Sequence, residues 1–288
     1  MRKSSIYLPD ELKQLLEERA ERSGRSEADL IRAAIGRMLA LPADGDEPAS
    51  PERRPPAPRP SLVGVGVGPG DPGLVTATGR AILLAADRVL VITTDDHSVG
   101  RAEMVVRSVA PTIPVQRVPF AIDPDEQHRQ TSLEALAAAA VAGTDAGELV
   151  AVAVLGDPSQ WTVFPALVAA VRRLRPRLHV EGVPGITAYQ ASACRAVVAL
   201  GGAGGALAVV DNLDDLDRRL GDGHTAVVVY KASIDGADVQ AIARRHGRRG
   251  VVAELNGLPG ERLVELADLP AGPVSYLATV IFPTGTPS

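Results

Sequence analysis

The chain is poor in cysteine, in aromatic residues and in long apolar runs. Cys194 is its single cysteine, so an internal disulfide is impossible and metal sites built on thiolate clusters are excluded. Lying in an Ala/Ser-rich segment, it reads as a small buried thiol rather than a nucleophile. Aromatics make up 3% of a chain that is 45% hydrophobic, so the core has to be built from Ala, Val, Leu and Ile. That suits parallel sheets, whose strands are buried on both faces and read as unbroken aliphatic runs. No apolar stretch reaches the roughly 20 residues that cross a bilayer, and the first residues lack the apolar centre of a secretion signal. The expectation is a cytoplasmic protein with no membrane partner. Net positive charge is missing as well. Lys and Arg number 30 against 35 Asp and Glu, a balance of −5, so any nucleic-acid binding must be local. His97 and His128 stand in polar loops without metal-ligand spacing, and no metal site is expected.

What is present is glycine and proline at the ends of aliphatic runs. Leu62-Val-Gly-Val-Gly-Val-Gly-Pro-Gly-Asp-Pro-Gly-Leu-Val-Thr76 reads as a buried strand breaking into a Pro-Gly-Asp-Pro turn, with a helix starting after Thr76. Glycine there lets backbone approach a ligand closely. A dinucleotide fingerprint fits poorly. A phosphate cradle wants free N–H groups aimed at an anion, whereas Pro69 and Pro72 remove two donors and Asp71 places a negative charge at the mouth. The pattern suits a cationic ligand better than a phosphate. The same arrangement recurs where Leu149–Leu155 runs into Gly156-Asp157-Pro158. It recurs again where Val180–Val183 turns at Pro184-Gly185 into a helix of small residues (Ala188, Ala191, Ala193, Ala196).

Taken in order, GVGPGDPGLVT, LGDPSQWTVFP and VPGITAYQASA resemble the tetrapyrrole methylase family of S-adenosylmethionine-dependent enzymes. Ser98–Glu103, Val118–Phe120, Arg172–Pro176 and the ending Ser275–Pro283 look most like its precorrin-2 C(20)-methyltransferase branch, which acts in cobalamin biosynthesis. The similarity covers roughly residues 62–285. Where the branch usually has Asn-x-Tyr-Ser-Thr after Gly-Asp-Pro, this chain has Ser159, Trp161, Thr162 and Val163. Tyr230 stands where the family has methionine. The resemblance implies an α/β, two-domain methylase fold, with one domain over 62–158 and another over 159–285, in a homodimer. It implies S-adenosylmethionine held by Pro69, Gly70, Asp71, Leu155, Gly156, Asp157, Gln160, Thr187, Ala188 and Tyr230. Each of these also has a purely structural reading: turn geometry for Gly156, helix capping for Asp71 and Asp157, core packing for Tyr230. The reaction implied is methyl transfer to carbon 20 of precorrin-2, giving precorrin-3A. Such a carbon is already nucleophilic, so the enzyme mainly aligns reactants and excludes water. No residue stands out as catalytic. A substrate with eight carboxylates calls for a basic lining, for which Arg101, Arg129 and Lys231 are the candidates.

The first sixty residues form a different module. In residues 2–8, Lys3, Ser5 and Tyr7 alternate with Ser4, Ile6 and Leu8, a strand pattern. Pro9 opens a helix with Leu12, Leu15, Leu16 and Ala20 on one stripe. Ser26 is a good N-cap for a second helix bearing Leu30, Ile31, Ala34, Ile35, Met38 and Leu39. Strand, helix, turn and helix within residues 1–40 resemble the ribbon-helix-helix DNA-binding family. By that resemblance two chains pair their strands, Lys3, Ser5 and Tyr7 face bases, and the helix start at Ser26 meets a phosphate. A module of this size cannot fold alone, which again implies a dimer. Residues 41–61, rich in proline, read as a semi-extended tether.

Two readings from different classes follow. One is a tetrapyrrole methyltransferase, with a peptide or another corrin intermediate as variant substrates. The other is a DNA-binding transcription regulator whose methylase-like part senses a tetrapyrrole or S-adenosylmethionine without turnover.

Overall fold

The computed structural model describes residues 9–10, 13, 14, 16, 17, 20, 26–38, 58–94, 99–120, 125–202, 204–230, 234–258, 260–270, 272–275 and 277–284. The chain divides into two units, Met1–Arg54 and Pro55–Ser288. In the first, α1 (Glu27–Met38) carries Glu27 and Asp29 in its opening turn, where negative charge suits the helix dipole. Ser26 caps it: its Oγ accepts from the Asp29 amide at 3.2 Å and donates to the Asp29 carboxylate at 2.6 Å. Lys13, on the preceding helical stretch, reaches the Glu27 carboxylate at 2.7 Å. The strand expected over 2–8, with Lys3, Ser5 and Tyr7, lies outside the described residues.

The second unit opens with five strands: β1 (Ser61–Gly66), β2 (Arg88–Thr93), β3 (Val115–Pro119), β4 (Leu149–Val154) and β5 (His179–Val183). They form one parallel sheet in the order β3-β2-β4-β1-β5. Four helices alternate with them: α2 (Ala77–Ala85), α3 (Arg101–Val109), α4 (Glu126–Asp145) and α5 (Phe164–Leu174). Because side chains alternate along a strand, Val63 and Val65 of β1 pack with Ile82, Leu83, Val105 and Val106 of α2 and α3. Leu62 packs on the other side with Leu136 of α4 and with Phe164 and Leu167 of α5. The chain leaving β1 crosses to β2 on one face, and the chain leaving β4 crosses to β5 on the other. Their loops therefore part above the carboxyl ends of two neighbouring strands, where open α/β sheets bind ligands.

Helix α6 (Ala188–Ala196) leads to the second sheet, built from β6 (Ala206–Val210), β7 (Thr225–Tyr230), β8 (Val251–Glu254), β9 (Arg262–Glu265) and β10 (Thr279–Phe282) in the order β6-β7-β10-β8-β9. Here β6 and β7 are parallel and the remaining pairs antiparallel. Helices α7 (Leu213–Leu220) and α8 (Gly236–Arg245) cover one face. On the other face Tyr189 and Ala193 of α6 pack against Val228, Tyr230 and Ile281.

Two expectations need correction. The first sheet takes its last strand from 179–183, so the division expected at 158/159 falls inside the first sheet's chain, and the sheets part between Val183 and Ala206. The Gly156-Asp157-Pro158 turn, where that division falls, lies in the connection between β4 and α5 of the first sheet's chain. Cys194, expected to be buried, is exposed. The α6 face turned to the second sheet is set by Tyr189 and Ala193, and Cys194, one position on, lies off that stripe.

Candidate functional site

Three glycine corners meet at the carboxyl ends of β1, β4 and β5. A Cβ placed on Gly185 would lie 2.1 Å from the Gly156 carbonyl oxygen and 2.7 Å from the Gly66 Cα. One on Gly66 would lie 2.5 Å from that same oxygen. No side chain fits, so the residue type at these positions is dictated by backbone packing against backbone. Hydrogen bonds fix the junction. Gly156 N donates to Gly68 O at 2.8 Å, and Gly185 N donates to Asp157 Oδ2 at 3.0 Å. The other oxygen of Asp157 accepts from Ser159 N at 2.8 Å and from Ser159 Oγ. Partial burial works against ionisation, yet the hydrogen bonds from Ser159 Oγ, Ser159 N and Gly185 N outweigh it and hold the carboxyl below its ordinary range. Asp157 is thus a fixed anion tying two corners together and is poorly suited to act as a general base at neutral pH.

Beside this junction lies a small cleft lined by Pro69, Arg101, Leu155, Gly156, Ala188, Tyr230, Asn256, Leu277 and Ala278. Arg101 is the charged member of that set. Among the sequence-predicted cofactor residues, Pro69, Leu155, Gly156, Ala188 and Tyr230 border the cleft, and Gly70, Asp71, Asp157, Gln160 and Thr187 are not in its lining. Asp71 caps the short 3-10 turn Pro72–Leu74 by accepting from Gly73 N at 2.7 Å. Thr187 caps α6 in a reciprocal box with Gln190. Gln160 accepts from the Tyr189 hydroxyl at 2.9 Å. Gly70 packs against the loop after β8, where an added Cβ would meet Asn256 O at 2.9 Å.

Of the predicted substrate cations, Arg101, at the start of α3, reaches the cleft. Arg129 does not border it; it is exposed in the first turn of α4 and pairs with Glu126. Lys231 lies outside the described residues.

Sequence reasoning missed Asn256, Leu277 and Ala278. Asn256 is 5% exposed. Its Nδ2 donates to Ala188 O at 2.9 Å and to Ser192 Oγ. This joins the loop after β8 to the first turn of α6. No motif marks it, since its role comes from a loop brought across from the other sheet. An asparagine closely following the apolar run Val251–Ala253 was the one available hint.

Tetrapyrrole methylases use S-adenosylmethionine, and the residues here fit that molecule. Pro69 offers no N–H for a phosphate, and an added Cβ at Gly156 (φ +73°) would come 3.5 Å from the Tyr230 hydroxyl and 3.7 Å from Thr187 Cα. Thr279 Oγ1 is a buried hydroxyl without a partner among the described residues, opposite Tyr230 in register and next to Ala278. Among the described residues no group of three or more His, Cys, Asp or Glu is arranged to hold a metal ion, and no helix is long and apolar enough to cross a membrane.

Similarity to known proteins agrees with this geometry. Residues 61–270 match the family described as Tetrapyrrole (Corrin/Porphyrin) Methylases, and residues 5–41 match the ribbon-helix-helix protein, copG family. A precorrin-2 C(20)-methyltransferase from Sinorhizobium sp is 29% identical over 236 residues, covering 77% of this chain and 94% of that protein. The cobalamin biosynthesis protein CobIJ of Mycobacterium bovis is 27% identical over 245 residues, 79% of this chain. The match spans 46% of that longer relative. A uroporphyrin-III C-methyl transferase from Thermus thermophilus, solved with S-adenyl homocysteine, shares the fold. Its TM-score is 0.54 at 23% identity, over 77% of this chain and 92% of that one. With the three corners, the two sheets and the family match in agreement, the chain belongs to the tetrapyrrole methylases and carries ahead of that region a segment matching the ribbon-helix-helix family.

Proposed function

We propose that the protein is a cytoplasmic, homodimeric S-adenosylmethionine-dependent C-methyltransferase of cobalamin biosynthesis, acting on precorrin-2 at carbon 20. The observation that carries the reading is the convergence of Gly66, Gly156 and Gly185 beside a cleft bordered by Pro69, which has no N–H to offer a phosphate. The Sinorhizobium relative supports the finer choice of substrate.

When bound, the cofactor supplies a methyl group on a positively charged sulfur. The chain's own contribution is positioning. Pro69, Gly156 and Ala188 present a close, small-residue wall. Tyr230, 5% exposed, closes the side toward the second sheet and keeps water out. Arg101 offers a guanidinium to a substrate carboxylate; charge-assisted bonds of this kind are worth about 1.5–3 kcal/mol. Neither Asp71 nor Asp157 is assigned a proton, because both carboxylates are engaged in holding turns. Alignment and exclusion of water are what a reaction with an already nucleophilic carbon requires.

The test is incubation of the full chain with methyl-labelled S-adenosylmethionine and precorrin-2. Label in precorrin-3A supports the assignment, and label appearing only with another tetrapyrrole moves the substrate. A second reading is favoured by the match over residues 5–41: a DNA-binding regulator that senses its ligand without turnover. It requires a sequence-selective, salt-sensitive DNA shift together with cofactor binding and no methyl transfer.

A further inference from the structure

We propose that Trp161 is a specificity-determining residue of this site, an aromatic wall at the margin of the cleft against which the conjugated ring system of the substrate packs. The inference rests on the methyltransferase reading and extends it to a residue in the segment 159–163, where this chain departs from its branch. The chain has one tryptophan, and only 3% of its residues are aromatic. That one indole is 42% exposed, although burial is the ordinary fate of so large an apolar group. Its backbone is left-handed, φ +47°, a region that residues bearing a Cβ avoid and that recurs where function demands it.

Neighbouring groups hold it there. Gln160 N donates to Asp157 O at 3.2 Å, and Thr162 Oγ1 donates to Pro158 O at 2.8 Å, closing the turn on both sides. The indole meets Tyr230 edge-on, with ring centroids 5.7 Å apart and planes at 85°. Tyr230 meets Tyr189 in the same manner at 5.6 Å and 89°, and Tyr189 donates to Gln160, next to Trp161, at 2.9 Å. The aromatic ladder therefore runs from the core, through the cleft wall, to solvent, and folds back on the turn that carries it. A core role would bury its outer end. A rigid, half-exposed indole adjoining a ligand cleft is instead suited to a flat, conjugated partner.

The experiment compares full-length wild type with Trp161→Phe, Trp161→Ala and Trp161→Gly in two titrations. S-adenosylhomocysteine is followed by calorimetry and uroporphyrin III by its own fluorescence. Glycine accepts positive φ freely, so the Trp161→Gly variant retains the turn, and a thermal melt checks that it folds. The expected result is at least tenfold weaker porphyrin binding for the Ala and Gly variants and an intermediate loss for Phe. S-adenosylhomocysteine affinity should stay within about twofold, and porphyrin should quench the single-tryptophan emission of wild type. Unchanged porphyrin affinity in the Ala variant, absence of quenching, or no porphyrin binding by wild type overturns the proposal. Failure of wild type to bind S-adenosylhomocysteine overturns the methyltransferase reading instead, while the porphyrin titration still decides the role of Trp161.

Discussion

Replacing Gly185 by alanine is the sharpest perturbation of the corner junction. Its Cβ would stand 2.1 Å from Gly156 O, so the corners must part by about 1 Å before ordinary contact is restored. Overpacking of this kind costs about 1–3 kcal/mol, small against the roughly 5–15 kcal/mol that holds a domain folded. The variant should therefore fold, with a melting temperature lowered by about 2–10 °C. Function should suffer more than stability, because the same carbonyl belongs to Gly156, which lines the cleft. A displacement of about 1 Å at a reacting centre is worth roughly a hundredfold in kcat/KM. The assays are a thermal melt, calorimetry with S-adenosylhomocysteine and single-turnover methyl transfer. Gly182→Ala is the internal control, since an added Cβ there, in the strand that leads to Gly185, meets nothing within 4 Å. Equal ligand affinity and activity in Gly185→Ala and Gly182→Ala would refute the idea that the junction shapes the site.

Asp157→Ala should destabilise the protein by about 1–3 kcal/mol, the usual consequence of leaving a partly buried N–H unpaired. It should also weaken S-adenosylhomocysteine binding, both readable by melts and calorimetry. Asn256→Leu removes the clamp between the loop after β8 and α6; a loss of about 1–3 kcal/mol is expected, with a lower melting temperature as the readout. Glu103 is fully buried, with Arg117 at 2.7 Å and Arg107 at 2.7 Å. The Arg117 hydrogen bond leads in holding its carboxyl below the ordinary range, burial opposes, and Arg107 adds to the lowering. A depressed folded pKa gives stability that is present above the unfolded value, about 4.3, and is lost as pH falls through the folded one. Glu103→Gln should accordingly lower the melting temperature at pH 7 and flatten its decline at acid pH. Deleting residues 1–54, the first unit, should leave S-adenosylhomocysteine affinity within about twofold of the full chain.

How much was legible in the sequence follows from which signals are local. The aliphatic runs Leu62–Val67 and Leu149–Leu155 declared buried parallel strands, because strands covered on both faces need no alternation. The cap Ser26 and the helix start at Thr76 were readable because a helix start is settled within one turn. Glycine at the strand ends was read as allowing close approach of backbone to a ligand, with turn geometry as the structural reading of Gly156. Only the folded chain decided that Gly66, Gly156 and Gly185 approach one another, that the Asp157 carboxylate accepts from Gly185 N, and that β5 completes the first sheet. Asn256, Leu277 and Ala278 reach the cleft across sequence separations that no periodicity encodes. Residue type fixes what a backbone can do locally; which distant groups share a cleft is set by sheet order and helix packing.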